Sequence, residues 1–109
     1  MEDVLVKIKR LLIAGRYRFT AKAELEMLGD DLLPADVLEA IINAVGIKKV
    51  VTSTSKQRRR RREKLYIIES FTYDGVFVYT KGTFRKEDGI DVYYLLVSSK
   101  RSDPEGDDR

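Results

Sequence analysis

The stretch VFVYTKGTF, residues 76–84, decides the fold of this chain. Small, mostly β-branched side chains alternate in it with Phe77, Tyr79 and Lys81, which is the period-two pattern of a β-strand. The three residues before it, 73–75, read Tyr-Asp-Gly and are typical of a hairpin turn. Alternation places Phe77, Tyr79 and Lys81 on one face of the strand, and because Lys81 is charged we predict that this face is open.

Further strand-like segments flank this stretch. Residues 65–68 open a strand before it, and residues 91–98 form the last strand, after a turn at residues 86–89. Because tight turns join these three strands, we expect an antiparallel meander. The β-branched residues at 50–54 are predicted to lie beside it.

The first half of the chain has helical periodicity instead. Apolar residues recur at three- and four-residue spacing in segments 2–14, 21–28 and 34–45. Thr20 suits the N-cap of the second helix and Pro34 the first turn of the third.

These elements predict the fold class and the domain organisation. We predict an α+β domain over residues 1–100, with N-terminal helices packed on one face of a C-terminal antiparallel β-sheet. Residues 17–19 form a short extended piece between the first two helices, and residues 101–109 are predicted to be an acidic, disordered tail.

Composition narrows the possible chemistry. The 109 residues include no cysteine and no histidine, so thiolate nucleophiles and the commonest general base are missing. Catalysis would have to come from Lys, Arg, Tyr, Asp, Glu, Ser or Thr side chains. We predict no metal and no cofactor, because the sequence has no Gly-rich phosphate loop, nucleophile elbow or zinc pattern.

Nothing in the sequence predicts a membrane segment. The longest apolar run, residues 11–14, is far shorter than the ~20 residues that a membrane helix needs. Met1 is followed by acidic Glu2 and Asp3, so we expect no export signal and no membrane partner. The lack of cysteine fits a reducing compartment, and we predict a cytoplasmic location.

The charge balance points to a polyanionic partner. The formal net charge is +3, and residues 101–109 hold four acids and two arginines, a sum of −2, which leaves +5 on residues 1–100. Arginine offers planar donors that match phosphate oxygens, and we predict that a run of five arginines binds RNA. The alternatives are a solvated loop, a localisation tag or a docking surface for an acidic protein. The run consists of Arg58, Arg59, Arg60, Arg61 and Arg62.

Aromatic residues cluster in the strand half. Exposed aromatics beside cations can stack RNA bases while the charges hold the backbone, although alternation directs about half of these rings to the core. We predict RNA contacts from the interleaved cations Lys64, Arg85 and Arg101. The aromatic residues are Tyr66, Phe71, Tyr73, Phe77, Tyr79, Phe84, Tyr93 and Tyr94.

Several short motifs resemble a bacterial toxin family. They are VKIKRLLIAGR at residues 6–16, RFT at 18–20, II at 41–42, YTK at 79–81 and LVSSK at 96–100. Over residues 6–100 the layout resembles the MqsR branch of the RelE-like toxins. Members of that branch are mRNA interferases that cleave transcripts and are neutralised by an antitoxin protein.

The resemblance implies both a function and a site. It implies a RelE-like type II toxin that cleaves mRNA by metal-independent attack of the 2′-hydroxyl, with a cognate antitoxin as its protein partner. By motif, Tyr79 and Lys100 match catalytic positions of the family and Lys81 occupies the adjacent lysine position, so we predict these three as catalytic. Lys49 stands in for a lysine that the family uses soon after the Ile-Ile helix, and we predict that it binds RNA. Glu69 occupies a position where the family has glutamine. The alternative is a non-catalytic RNA-binding or protein-interaction module of the same fold.

Overall fold

The computed structural model describes residues 3–53, 63–89 and 91–104. These residues form three helices and a five-stranded sheet, which confirms the α+β class with helices first and most of the sheet second. The elements are α1 (Val4–Ile13), β1 (Tyr17–Phe19), α2 (Ala21–Gly29), α3 (Pro34–Asn43), β2 (Lys49–Thr52), β3 (Lys64–Phe71), β4 (Phe77–Glu87) and β5 (Asp91–Arg101).

Local side-chain chemistry begins the helices. The Asp3 carboxylate accepts from the Leu5 amide at 2.8 Å, and the Thr20 hydroxyl accepts from the Ala23 amide at 3.1 Å, as expected for N-caps. The third helix ends at Asn43, so the prediction that it continues through Val45 was wrong, and Val45 is fully exposed. Within the described residues, no helix is long and apolar enough to cross a bilayer.

The sheet is mixed, which corrects the prediction of an antiparallel one. Its strand order is β1-β5-β4-β3-β2, and every neighbouring pair is antiparallel except β1 with β5. The segment at residues 17–19 therefore adds a parallel edge strand. β2 lies beside β3, as predicted from its β-branched residues.

The strand ends also differ from the predicted ones. β4 continues to Glu87, so Lys86 and Glu87, which were predicted to lie in the turn, belong to the strand. Asp88 and Gly89 follow in a turn, and both have positive φ, at 60° and 75°. β5 includes Arg101, which was predicted to begin the tail, and residues 105–109 lie outside the described residues.

The hydrophobic core lies between the helices and one face of the sheet. All three helices bury side chains in a single cluster, such as Ile8, Met27 and Ile41, which also contains Val78 and Leu96 of the sheet. Three of the eight aromatic residues of the strand half, Tyr66, Phe84 and Tyr94, pack in or against this cluster. We call the opposite side of the sheet the open face; it carries the side chains of Glu69, Phe71, Phe77, Tyr79, Lys81 and Lys100, which are in register with one another.

A β-bulge in β5 reverses which side chains reach each face. Lys81 pairs with Ser98 but Gly82 pairs with Leu96, so Val97 is an extra residue opposite β4. Before the bulge, even-numbered residues such as Leu96 face the helices. After it, even-numbered residues such as Lys100 belong to the open face.

Gly82 lies opposite the bulge because a side chain would not fit there. A Cβ built on Gly82 would lie 2.5 Å from Cζ of the Tyr94 ring, which is completely buried. Burial raises the pKa of the Tyr94 hydroxyl, and the charge of Tyr66 adds to this effect. Among the described residues that hydroxyl has no hydrogen-bond partner, so the ring is placed by packing alone.

Replacing Gly82 by alanine should therefore destabilise the protein. We expect a loss of roughly 1–3 kcal/mol in the free energy of unfolding, because the added methyl group would overlap the buried Tyr94 ring and force it or the strand to shift. Urea titration followed by circular dichroism measures the change. Gly29→Ala is the matched control, since its Cβ meets nothing within 4 Å and Gly29 is helical. Equal stability of Gly82→Ala and wild type would contradict this account.

Candidate nucleic-acid interface

Glu69, Tyr79 and Lys100 form one row across three strands of the open face, which we call the central row. Tyr79 pairs with Glu69 of β3 on one side and with Lys100 of β5 on the other. The Lys100 ammonium lies 5.3 Å from the centre of the Tyr79 ring, within the range of a cation–π contact. A carboxylate, a phenol and an ammonium group thus lie side by side.

The next row brings further lysines to the same face. Lys81 pairs with Ile67, and Ile67 pairs in turn with Lys49 of β2. The predicted residues Tyr79, Lys81, Lys100 and Lys49 are therefore neighbours on one surface. The predicted sharing of a face by Phe77, Tyr79 and Lys81 is confirmed by the strand register.

Glu69 has partners that sequence reasoning missed. Its carboxylate accepts from Lys48 Nζ at 2.6 Å and from the Ser102 hydroxyl at 3.2 Å. Lys48 directly precedes β2 and Ser102 directly follows β5, so strands distant in sequence meet at this carboxylate. No sequence spacing indicated this contact, because it depends on the strand order.

The environment of Tyr79 keeps its hydroxyl protonated. Burial raises the pKa of Tyr79 above its ordinary value of 10.0, and the charge of Glu69 raises it further. Glu26 also raises this pKa, whereas Lys22 and Lys48 lower it. Tyr79 is consequently a hydrogen-bond donor near neutral pH rather than a base.

Helix α2 takes the place of a neighbouring strand along the outer edge of β5. β1 pairs only with residues 94–96 of β5. After residue 96, acidic side chains replace the neighbouring strand. Glu26 Oε1 accepts hydrogen bonds from the Ser98 hydroxyl at 2.7 Å and from the Ser99 amide at 3.0 Å. Asp30 Oδ2 accepts one from the Arg101 amide at 2.8 Å. These carboxylates satisfy amides that an edge strand would otherwise expose. They fix the backbone on both sides of Lys100.

Two acids near Tyr79 are neutralised by lysines. Lys22 pairs with Glu26 at 2.9 Å, and Lys48 pairs with Glu69 at 2.6 Å. By contrast, three lysines of the open face form no ion pair with any residue that the structure describes. They are Lys49, Lys81 and Lys100. The surface around the central row is therefore left with an excess of positive charge.

Other predicted RNA contacts lie elsewhere. Arg85 is on the open face opposite Tyr93, but its guanidinium is held by Glu63 at 2.7 Å and 3.1 Å. Lys64 shares the parity of residues that face the helices. Arg101 also lies on that side, and its Nε donates to the Asp30 carbonyl at 2.9 Å. The arginine run at residues 58–62 lies outside the described residues.

Comparison of the chain with protein-family models, curated proteins and solved structures finds no match to any of the three. Over the described part of the chain, no group of three or more carboxylates is arranged to hold a metal ion. The site must therefore be interpreted from its own geometry.

Glu26 should make the stability of the fold sensitive to acid. Burial by itself raises the pKa of Glu26, but hydrogen bonds from Lys22, Ser98 and Ser99 together outweigh it and hold the pKa below its ordinary value. The stabilisation is thus present at neutral pH and is lost as the pH falls through the lowered pKa.

Urea unfolding of wild type, Glu26→Gln and Glu26→Ala from neutral to acid pH tests this effect. At neutral pH we expect Glu26→Ala to lose about 1–3 kcal/mol, because the buried Ser98 and Ser99 donors lose their acceptor. Glu26→Gln keeps an acceptor and should lose less, and its stability should change less with acid. An unchanged acid profile in Glu26→Gln would show that this carboxylate does not hold the edge.

Proposed function

We propose that the open face binds single-stranded RNA and that the central row cleaves it. The chain would then act as an mRNA interferase, the toxin of a type II toxin–antitoxin pair with a RelE-like fold close to the MqsR branch. The observation that carries this proposal is the pairing of Tyr79 with Lys100 on a face with excess positive charge. The motif resemblance of residues 6–100 supports the same assignment.

The proposed reaction needs only groups found in this region. The RNA 2′-hydroxyl attacks the adjacent phosphorus, the new O2′–P bond forms, and the P–O5′ bond breaks. The products are a 2′,3′-cyclic phosphate and a 5′-hydroxyl end. One proton leaves the 2′-hydroxyl and one proton is delivered to the departing O5′.

Glu69 and Tyr79 divide the proton transfers between them. The Glu69 carboxylate accepts the proton of the 2′-hydroxyl, since it is the acid that pairs directly with Tyr79 across the strands. Tyr79 is protonated near neutral pH, as a phenol ordinarily is, and the upward shift of its pKa keeps it so. It therefore orients the substrate by donating a hydrogen bond and supplies the proton to O5′. The family pattern has glutamine at this position, so a proton acceptor at Glu69 is where the proposed mechanism departs from that pattern.

The lysines act on charge rather than on protons. Lys81 and Lys100 lie in adjacent rows of the open face, where their ammonium groups stabilise the extra negative charge of the phosphorane. Lys49 holds a neighbouring phosphate. Each lysine–phosphate contact releases counterions, so binding should weaken steeply as salt rises.

One observation favours a second function, a non-catalytic RNA-binding module. Lys48 and Ser102 engage both oxygens of Glu69, as they would in a purely structural ion pair. In that case the lysines would bind RNA while the central row only holds the strands together.

Tyr79→Phe and Lys100→Ala separate cleavage from binding. We expect the rate of cleavage by either variant to fall on the order of 10²–10⁴-fold, because a proton donor or a phosphorane contact is lost. Binding to a 2′-O-methyl RNA, which cannot be cut, should be retained by Tyr79→Phe. Fluorescence anisotropy measures binding and gel electrophoresis measures cleavage.

The matched control is Lys64→Ala, which removes an exposed lysine from the other side of the sheet. Expression in bacteria adds a cellular test: wild type should arrest growth, and co-expression of an antitoxin encoded by a neighbouring gene should relieve the arrest. Cleavage by Tyr79→Phe at the wild-type rate would exclude the proposed mechanism, whereas RNA binding without any cleavage by wild type would favour the binding module.

Glu69→Gln tests the proton acceptor. The amide can keep the contacts to Lys48 and Ser102 but cannot take a proton, so cleavage should fall by about 10²-fold or more. Binding of the 2′-O-methyl RNA should stay equal or tighten, because a negative charge is removed from the surface that meets the phosphates. If cleavage were retained, Glu69 would not be the base.

A further inference from the structure

Two phenylalanines form an aromatic pair on the open face, beside the central row. Phe71 of β3 pairs with Phe77 of β4, and their ring centroids are 4.6 Å apart with planes inclined by 45°. Phe71 leaves 45% of its surface exposed. The pair is an aromatic platform at the edge of the positively charged surface.

Phe71 and Phe77 are not part of the hydrophobic core. The cluster between helices and sheet contains Tyr94, and Tyr66 and Phe84 pack against it, but neither Phe71 nor Phe77 belongs to it or packs on it. Their backbones are nevertheless fixed: the Phe71 carbonyl accepts from Asn43 Nδ2 at 3.0 Å, and the Phe77 carbonyl accepts from the Ser102 amide at 2.9 Å. A fixed, partly exposed aromatic surface suits the binding of a flat ligand.

The position of the two phenylalanines relative to Tyr79 indicates which part of an RNA strand they would contact. Phe77 precedes Tyr79 by two residues on the same strand, a separation of about 7 Å, which is within reach of one nucleotide. A phosphate bound by Lys100 and Lys81 would carry its neighbouring base towards these rings. Aromatic side chains next to a cationic backbone-binding surface stack unpaired bases.

We propose that Phe71 and Phe77 form a base-stacking subsite that holds the nucleobase next to the phosphate bound at the central row. The inference rests on the proposed RNA-binding function and adds to it: the subsite would set which phosphate lies at Tyr79 and Lys100. Because stacking involves no charge, its contribution to binding is independent of salt, unlike that of the lysines.

The test compares Phe71→Ala, Phe71→Trp, Lys100→Ala and wild type as full-length chains. The probe is a 2′-O-methyl oligoribonucleotide, bound over a range of salt concentrations and followed by anisotropy. Phe71→Ala should weaken binding on the order of tenfold at every salt concentration, because a stacked base is lost. Lys100→Ala should instead lower the slope of log affinity against log salt by about 0.7. Phe71→Trp should retain wild-type affinity.

An abasic scan of the same oligonucleotide locates the stacked base. Removing that base should weaken binding to wild type as much as Phe71→Ala does and should cause no further loss in Phe71→Ala, since the two changes delete one contact. Tyr73→Ala is the matched control, because Tyr73 is 77% exposed but lies in the turn before β4. Thermal unfolding of each variant checks that the fold is retained.

The outcomes separate the subsite from the proposed function. If Phe71→Ala binds as wild type while Lys100→Ala lowers the salt slope, the subsite is wrong and the RNA-binding face stands. If every abasic position is additive with Phe71→Ala, the weakened binding does not come from stacking, and the subsite is also wrong. If wild type does not bind RNA at all, both proposals fail, and the aromatic pair is left as a surface for a protein partner.

Discussion

The β-bulge at Val97 is the constraint on which the open face depends. In a regular strand Lys100 would share a face with Tyr94 and Leu96, and an ammonium group would be directed towards the helices. The extra residue turns Lys100 to the other side, opposite Tyr79, and turns Arg101 towards Asp30. One inserted residue therefore exchanges the two faces of β5, so that Lys100 lies on the open face although Leu96 lies in the core.

Contacts on both sides of β5 keep the bulge in place. On the outer side, the Thr20 amide donates a hydrogen bond to the Leu96 carbonyl at 3.0 Å. The Thr20 hydroxyl donates to the Val97 carbonyl at 3.2 Å and also caps α2. On the inner side, Tyr94 packs over Gly82, where any Cβ would collide with it. These contacts act at three places: the end of β1, the start of α2 and Gly82. Together they leave the pairing of β4 with β5 few alternative registers.

Periodicity and turn residues in the sequence predicted the elements and the antiparallel pairing of β2 to β5, but neither the parallel edge strand β1 nor the bulge in β5. Alternation in residues 76–84 was enough to place Phe77, Tyr79 and Lys81 on one face, because that face depends only on the geometry of a single strand. The face of Lys100 depends on the bulge, and the bulge is formed by contacts between β4, β5 and α2. The ion pairs of Glu69 with Lys48 and of Arg85 with Glu63 depend on the exact register of neighbouring strands, which short motifs do not encode.

Local neutralisation reconciles the carboxylates on this surface with the proposed binding of a polyanion. Lys48 and Lys22 balance Glu69 and Glu26, so the acids near Tyr79 add little repulsion at a distance, and the remaining lysines determine the field that an approaching strand meets. At contact distance the balance differs, because Glu69 lies in register with Tyr79 and raises its pKa. The charge of this carboxylate is thus largely balanced towards solvent but still acts on the adjacent Tyr79, and both properties are needed for its proposed role as a proton acceptor beside a bound phosphate.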